Sequence, residues 1–371
     1  MYNYVNSRLQ KFESRFGVTA ASSVVGLVLF LAACIYVRPG IHASTGLGQF
    51  YAELARDPFA TDTTNLVGYR FLTPLISYAV GLRGEGIIVT NLIVAALFIM
   101  VIYRCFRKLS EEPADAFIAA SVIAFSLVTL TTIHYSGFCD SLTYLIIFLM
   151  WWWRQRHTWL FWMLFLLGMF NRESILFLLP WFLYIRLDGS PNRRRRLLFD
   201  SLAIVLVAAI VIWVRDWQSG NMRVTYDTEF YLGPLTRDPL FYFRGSFPQS
   251  ILGFATVFKL LWAIPVVWVV SQWRIDRTLR LREPLILLVC CGLQLFIAWD
   301  SSRLWTMSFM VVLVALSQMF QSPDKSYRSW IFVLLALNFI APAYYTAEHT
   351  VEHMRLLPDT LFRVFMLGKG Y

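Results

Sequence analysis

The sequence predicts an all-α polytopic membrane protein, a bundle of about 11 transmembrane helices with two sizeable extracytoplasmic loops. Three observations carry this. Of the 371 residues, 58% are hydrophobic and only 15% charged, where a soluble domain carries about a quarter charged. Uncharged apolar runs of bilayer length follow one another along almost the whole chain. The runs are continuous and lack the alternation of a membrane barrel. Residues 1–371 read as a single transmembrane domain, and disorder, collagen and a disulfide scaffold are excluded. Cys34, Cys105, Cys139, Cys290 and Cys291 lie mostly inside apolar runs without metal-ligand spacing, and read as small apolar residues. The net charge of +10 reads as topology rather than affinity for nucleic acid, because cytoplasmic loops of polytopic proteins collect Lys and Arg.

Val18 to Val37 is the cleanest span. Leu31-Ala32-Ala33-Cys34 within it reads as part of an uncleaved anchor, because apolar residues continue past the cysteine. Ile87 to Tyr103, Ala116 to Ile133, the run opened by Asp140, and Leu197 to Val214 follow. Ser250 to Trp273, Leu285 to Trp299, Leu304 to Phe320 and Ser329 to Tyr345 complete the series. Direction comes from six basic clusters: Arg8/Lys11/Arg15, Arg104/Arg107/Lys108, Arg154/Arg156, Arg186 with Arg193 to Arg196, Arg274/Arg277/Arg280/Arg282 and Lys325/Arg328. All six face the cytoplasm together on two conditions. Thr158 to Arg186 must enter and leave on one side, as a hairpin of two short helices with Asn171-Arg172-Glu173-Ser174 at its tip. Phe71 to Leu82, 12 residues including Pro74, must stay at the outer interface. The N-terminus is then cytoplasmic, and residues 38–86, 217–249 and the tail 346–371 are extracytoplasmic. A multi-pass protein of a cytoplasmic membrane follows, and the preference for Arg (28) over Lys (5) points to a bacterial inner membrane.

On this topology the polar chemistry collects on the outer side. The first loop carries Glu53, Arg56, Asp57, Asp62, Arg70, Arg83 and Glu85, and the second, Trp217 to Gln249, carries Arg223, Asp227, Glu229, Arg237, Asp238 and Arg244. Asp140 opens a short helix, and each half of the 158–186 hairpin is too short to reach the far surface, so Asp140, Arg172 and Glu173 are expected below the outer surface. Lys259 lies within its span, and Asp300 and Arg303 sit at the join between two helices. Ions at such depth need a partner or a water-filled cavity. Arg172 with Glu173, and Asp300 with Arg303, read either as structural ion pairs or as the walls of an outward-facing cavity for an anionic lipid head group. His349-Thr350-Val351-Glu352-His353 fits the H-x-x-E-H pattern. With no evident third ligand it reads as an exposed tail helix, and no metal or other cofactor is required. His42 and His134 lie near the outer surface. No glycine-rich phosphate loop is present.

Several motifs resemble those of integral-membrane glycosyltransferases of the GT-C class, particularly the aminoarabinose and protein-mannosyl transferase branches. They are Tyr51-Ala52-Glu53-Leu54-Ala55-Arg56, Asp57-Pro58-Phe59, Tyr69-Arg70-Phe71-Leu72-Thr73-Pro74, Asp140-Ser141-Leu142, and Leu167-Gly168 through Asn171-Arg172-Glu173 to Leu179-Pro180. The resemblance covers the first half of the chain, and the second half only through Asp300 and Arg303. It implies a GT-C-like bundle and transfer of a sugar from a polyprenyl-phosphate donor to a glycan, lipid or protein acceptor on the extracytoplasmic face. The family's acidic residue before the aromatic of the loop helix falls near Leu47 or Gly48, so the base is sought among Asp57, Glu53 and Asp62, with Asp140 in reserve. Arg70, Arg172, Lys259 and Arg303 are the expected donor-phosphate ligands, supported by Asp140, Glu173 and Asp300. The chemistry asks for such residues: an attacking hydroxyl must lose its proton to a carboxylate, and cations must hold the charge building on the phosphate. A polymerase or ligase using a lipid diphosphate, and a transporter or flippase for a lipid or small anion, are the alternatives.

Overall fold

The structure is a computed structural model that describes residues 1–37, 47–59, 68–188, 190–221, 238, 240–275, 282–296, 301–322, 327–347, 350–354 and 356–358. In chain order the helices are α1 (Tyr2–Tyr36), α2 (Leu47–Arg56), α3 (Leu72–Ala79), α4 (Ile87–Leu109), α5 (Pro113–Ala124), α6 (Leu127–His134), α7 (Asp140–Trp153), α8 (Thr158–Asn171), α9 (Leu179–Leu187) and α10 (Arg193–Asn221). They continue as α11 (Phe241–Phe258), α12 (Ala263–Ile275), α13 (Arg282–Leu293), α14 (Ser301–Thr306), α15 (Phe309–Phe320) and α16 (Tyr327–Ile340), with a terminal β-hairpin of β1 (Ala343–Ala347) and β2 (Thr350–Met354). The chain is thus a helical, polytopic membrane protein.

The two ends of the bundle differ in charge. Gly17 breaks α1 with a φ of +81°, a conformation glycine adopts without steric cost, and Tyr2–Phe16 crosses one end. There the Tyr2 hydroxyl donates to Glu112 and Asp115, Arg107 pairs with Glu13 at 2.9 Å, and Arg328 pairs with Glu112 and Asp115 at 2.5 and 2.7 Å. Arg154, Arg186 and Arg196 meet at the same end, where Arg186 donates to the Arg154 carbonyl and Arg196 to that of Arg186. Arg107, Arg154, Arg186, Arg196 and Arg328, which come from four of the six basic clusters, thus stand at one end, while Arg277, Arg280 and Lys325 lie outside the described residues. Loops, α2, α3 and the β-hairpin occupy the other, called the loop end below.

The expected count of about 11 spans is corrected. Among the described residues five helices are long and apolar enough to cross a bilayer, or six if the bent pair α5/α6 is one span. Apolar composition persists where the helix does not. The 116–133 run bends by 46° between α5 and α6, and the 250–273 run breaks at Lys259, whose φ is +49°. Helices α7, α8, α9, α13 and α16 have 14, 14, 9, 12 and 14 residues, roughly 14 to 21 Å against a core of about 30 Å. Breaks at this depth must satisfy their own backbone. Buried Asn338 does so for two of them, accepting from Leu260 N–H at 3.1 Å and donating to the Phe125 carbonyl.

The 158–186 segment is a hairpin. Arg186 donates to Thr158 at 3.1 Å, the Phe161 and Phe182 rings stand edge to face, and Gly168 lies against Ile175 at the tip. The tail departs from expectation: Glu352 and His353 lie on β2 rather than on a helix, while His349 lies outside the described residues. Aromatic and β-branched residues on both arms, Tyr344, Tyr345, Thr346 and Val351 among them, favour strand over helix.

At the centre, the Ser302–Phe320 stretch formed by α14 and α15 is 89% buried along its apolar length, whereas α10 is only 17% buried along its own. A helix apolar all round belongs in a core or against lipid, and these two are the extremes. Helix α1 runs antiparallel to α4, and a Cβ on Gly26 would stand 2.8 Å from Met100 Cα. Gly26→Ala must push the helices apart, lowering stability by about 1–3 kcal/mol, read as a fall in apparent Tm in detergent. An unchanged Tm would show that the two helices do not meet this closely.

Candidate functional site

At the loop end, three sequence-distant elements close on one carboxylate. Asp140 opens α7 and is 4% exposed. Arg303 on α14 donates from Nε to Oδ2 at 2.5 Å and from Nη2 to Oδ1 at 3.0 Å, and Arg172 donates from Nη1 to Oδ1. Both arginines are buried, and Arg303 also lies over the Phe138 ring at 4.2 Å. Charges at such depth persist only when paired.

Local sequence explains the aim of each group. The helical run of α8 ends at Asn171, and Arg172 takes extended geometry, φ −159° and ψ 114°, before a tight 3-10 turn at Glu173–Leu178. An extended residue sends its neighbours' side chains to opposite sides, so Arg172 and Glu173 separate rather than pair. Arg172 turns to Asp140, and Glu173 accepts from Arg70 at 2.5, 2.9 and 3.1 Å. Beneath them, buried Asn171 fixes the floor: its Oδ1 accepts from Thr73 at 2.6 Å, and its Nδ2 donates to the Cys139 carbonyl and to Thr143 at 2.8 Å each. That one amide ties α3, the turn before α7, and α7 itself to the hairpin tip.

Tyr51 and Arg215 join the cluster. Arg70 Nη1 donates to the Tyr51 hydroxyl at 3.3 Å. Burial pushes the Tyr51 phenol pKa up, although the Arg70 charge opposes this. Burial opposes the charge on Arg70, but the Glu173 carboxylate outweighs it and holds the guanidinium pKa above its ordinary value. Arg215, near the end of α10, lies over the Tyr69 ring at 5.1 Å and acts electrostatically on Glu173. Its Nε is buried without a hydrogen-bond partner. Among the described residues the cluster thus gathers four guanidiniums around two carboxylates.

The remaining expected residues stand elsewhere. Glu53 and Asp57 are exposed, and Glu53 lies on the face of α2 opposite buried Tyr51, Leu54 and Ala55. Asp57 accepts from Phe59 N–H at 3.0 Å, a local turn contact. Lys259 stands at the helix break, where it donates to the Tyr36 hydroxyl at 3.2 Å and to the Ala341 carbonyl at 2.9 Å. Asp140, the reserve base, has both of its oxygens engaged by arginines. Asp62, Asp300 and His42 lie outside the described residues. His134 sits against Tyr135 with Glu352 at 3.4 Å. Among the described residues no group of three or more His, Cys, Asp or Glu is placed to hold a metal ion.

Sequence reasoning quoted Tyr51 in a motif without giving it a role, and missed Arg215. The signal for Arg215 was its place as the first charge beyond the 197–214 span, on the outer side.

Asp140→Ala leaves two buried guanidiniums facing each other. It is expected to destabilise the protein by about 3–5 kcal/mol, measured by denaturant unfolding in detergent; a change under 1 kcal/mol would show that the clamp is not buried.

Comparison of the chain with protein-family models, with curated proteins and with solved structures gave no match.

Proposed function

We propose that the protein is a membrane glycosyltransferase that moves a sugar from a polyprenyl-phosphate donor to an acceptor on the extracytoplasmic face. The observation that carries this reading is the gathering, among the described residues, of four guanidiniums around two carboxylates in the buried cluster of the loop end. Arg70, Arg172, Arg215 and Arg303 surround Asp140 and Glu173, an arrangement that favours an added anion. Arginine suits a phosphate because its planar fork holds two oxygens at once. A donor bound there would set its polyprenyl tail among lipid-facing helices and its sugar beside the loops.

In the reaction an acceptor hydroxyl oxygen forms a bond to the anomeric carbon, and the bond from that carbon to the phosphate oxygen breaks. The lipid phosphate leaves with the electron pair, and the guanidiniums stabilise the charge that develops on it. The hydroxyl proton passes to a carboxylate. Asp57, Glu53 and Asp62 are the candidates for that role. Glu53 and Asp57 are open to an acceptor arriving from solution, and neither is tied up by an arginine among the described residues. The clamp on Asp140 and the floor under Asn171 keep the cations in place through the cycle.

A lipid or anion transporter is the second reading, and the break at Lys259 favours it. Discontinuous helices line the sites of many transporters, and a non-glycine residue at positive φ costs about 1–3 kcal/mol. The two readings differ in product. Protein in liposomes with a labelled polyprenyl-phosphate sugar and a mixed acceptor pool should release lipid phosphate, and Arg70→Gln should slow release about a hundredfold. Normal turnover after Glu53, Asp57 and Asp62 are all replaced by Ala would remove the proposed proton transfer. Movement of label across the bilayer with no lipid phosphate released would favour transport.

A further inference from the structure

The first turn of α10 contradicts its own helix dipole. It reads Arg193-Arg194-Arg195-Arg196 with no acidic residue, although the positive end of a helix favours anions and disfavours cations. Among the described residues no carboxylate pairs with any of the four. Asp200, one turn on, is already filled: Arg186 donates to it from Nε at 2.9 and 3.0 Å and from Nη2 at 2.8 Å, and Trp162 adds a bond at 2.8 Å. Arg196 reaches Gln155 and the Arg186 carbonyl, both neutral acceptors. Arg195 is exposed and lies over the Phe199 ring at 5.6 Å.

A cavity of about 220 Å³ opens beside this turn, lined by Arg186, Ser190, Asn192, Arg195, Arg196 and Phe199 among others. Immediately beyond it, α10 exposes Leu197, Leu198, Leu202, Val205 and Leu206. A cationic cavity at the rim of an unburied apolar helix face has the two-part character of a phospholipid, charged at one end and apolar along its length.

We propose that this cavity binds the phosphate of an anionic phospholipid, whose acyl chains lie along the exposed face of α10. The phosphate oxygens accept from Arg195 and Arg196, and the N-terminal dipole of α10 then adds to the attraction instead of opposing the arginines. The ligand supplies the negative charge that the first turn lacks. A free phosphate shares the head-group chemistry but makes no use of the adjoining apolar face. The site stands at the basic end, opposite the arginine cluster of the loop end, and does not depend on the transferase reading.

The full-length protein, purified in neutral detergent, is titrated with phosphatidylglycerol, with phosphatidylcholine or with inorganic phosphate. Bound lipid is counted by native mass spectrometry, and apparent Tm is followed in parallel. Phosphatidylglycerol should be retained and raise Tm, and Arg195→Gln, a change at an exposed side chain, should weaken retention about fivefold. Arg196→Gln should do the same, while Lys11→Gln, which removes an exposed cation elsewhere at the same end, should change nothing. The proposal is overturned if phosphatidylcholine is retained equally, if Arg195→Gln binds as the wild type does, or if Lys11→Gln loses as much. It is also overturned if inorganic phosphate alone raises Tm as far as phosphatidylglycerol, which would mark a free-anion site.

Discussion

One buried carboxylate between two buried guanidiniums sets the geometry of the loop end. Asp140 begins α7, Arg172 follows the end of α8 and Arg303 lies on α14, so one ionic cluster fixes three elements, which neutral hydrogen bonds also join: Asn171 to Thr143, and Tyr144 to Thr306. Apolar packing has little orientational preference in a bilayer, because lipid tails are as apolar as the side chains they replace. A buried charge has a strict preference, since it is costly in any position but the paired one. The Asn171 amide repeats the principle one layer deeper, where a neutral network of Thr73, Thr143 and the Cys139 carbonyl holds the hairpin tip against α3 and α7.

The same chemistry is used differently at the two ends. At the basic end, Glu13, Glu112, Asp115 and Asp200 each accept from an arginine and bind helix to helix. Within the buried cluster of the loop end, four guanidiniums meet two carboxylates among the described residues, and one of them, Arg215, keeps a buried Nε without an acceptor. Paired charges account for architecture; a surplus within a buried cluster favours an added anion. The basic end also has a surplus, confined to the first turn of α10, where the cations lie beside lipid rather than beside the loops. Each is a proposed place for phosphate, one for a reacting donor and one for a resident lipid.

Much of this was legible in the chain. The membrane class followed from composition, the meeting of Arg107, Arg154, Arg186, Arg196 and Arg328 at one end from their positions between apolar runs, and the 158–186 hairpin from the need to keep basic clusters on one side. Arg70, Arg172, Glu173, Asp140 and Arg303 were all singled out, and the fold brings them together. What sequence did not reveal is pairing. Adjacent Arg172 and Glu173 looked like partners, but an extended backbone at Arg172 sends them apart, each to a residue far along the chain. Nor did sequence reveal where apolar runs stop being helix. The breaks at Phe125 and Lys259 depend on Asn338 being present to satisfy both, a tertiary fact no local window contains. Lys259 was assigned by depth alone, and depth does not say which neighbour a cation meets. The strand at Glu352 and His353 was hidden because H-x-x-E-H spacing suggests a helix, whereas the surrounding Tyr, Thr and Val residues favour a hairpin.

The most direct measurement is a cryo-electron-microscopy reconstruction of the protein in a lipid nanodisc supplied with polyprenyl phosphate. Density for the phosphate within hydrogen-bond distance of Arg70, Arg172 or Arg303, with the prenyl chain leaving between lipid-facing helices, is the predicted result. Phosphate density at another place, or a loop end in which solid protein separates Arg70 from Arg303, would contradict the assignment of these arginines to one donor site.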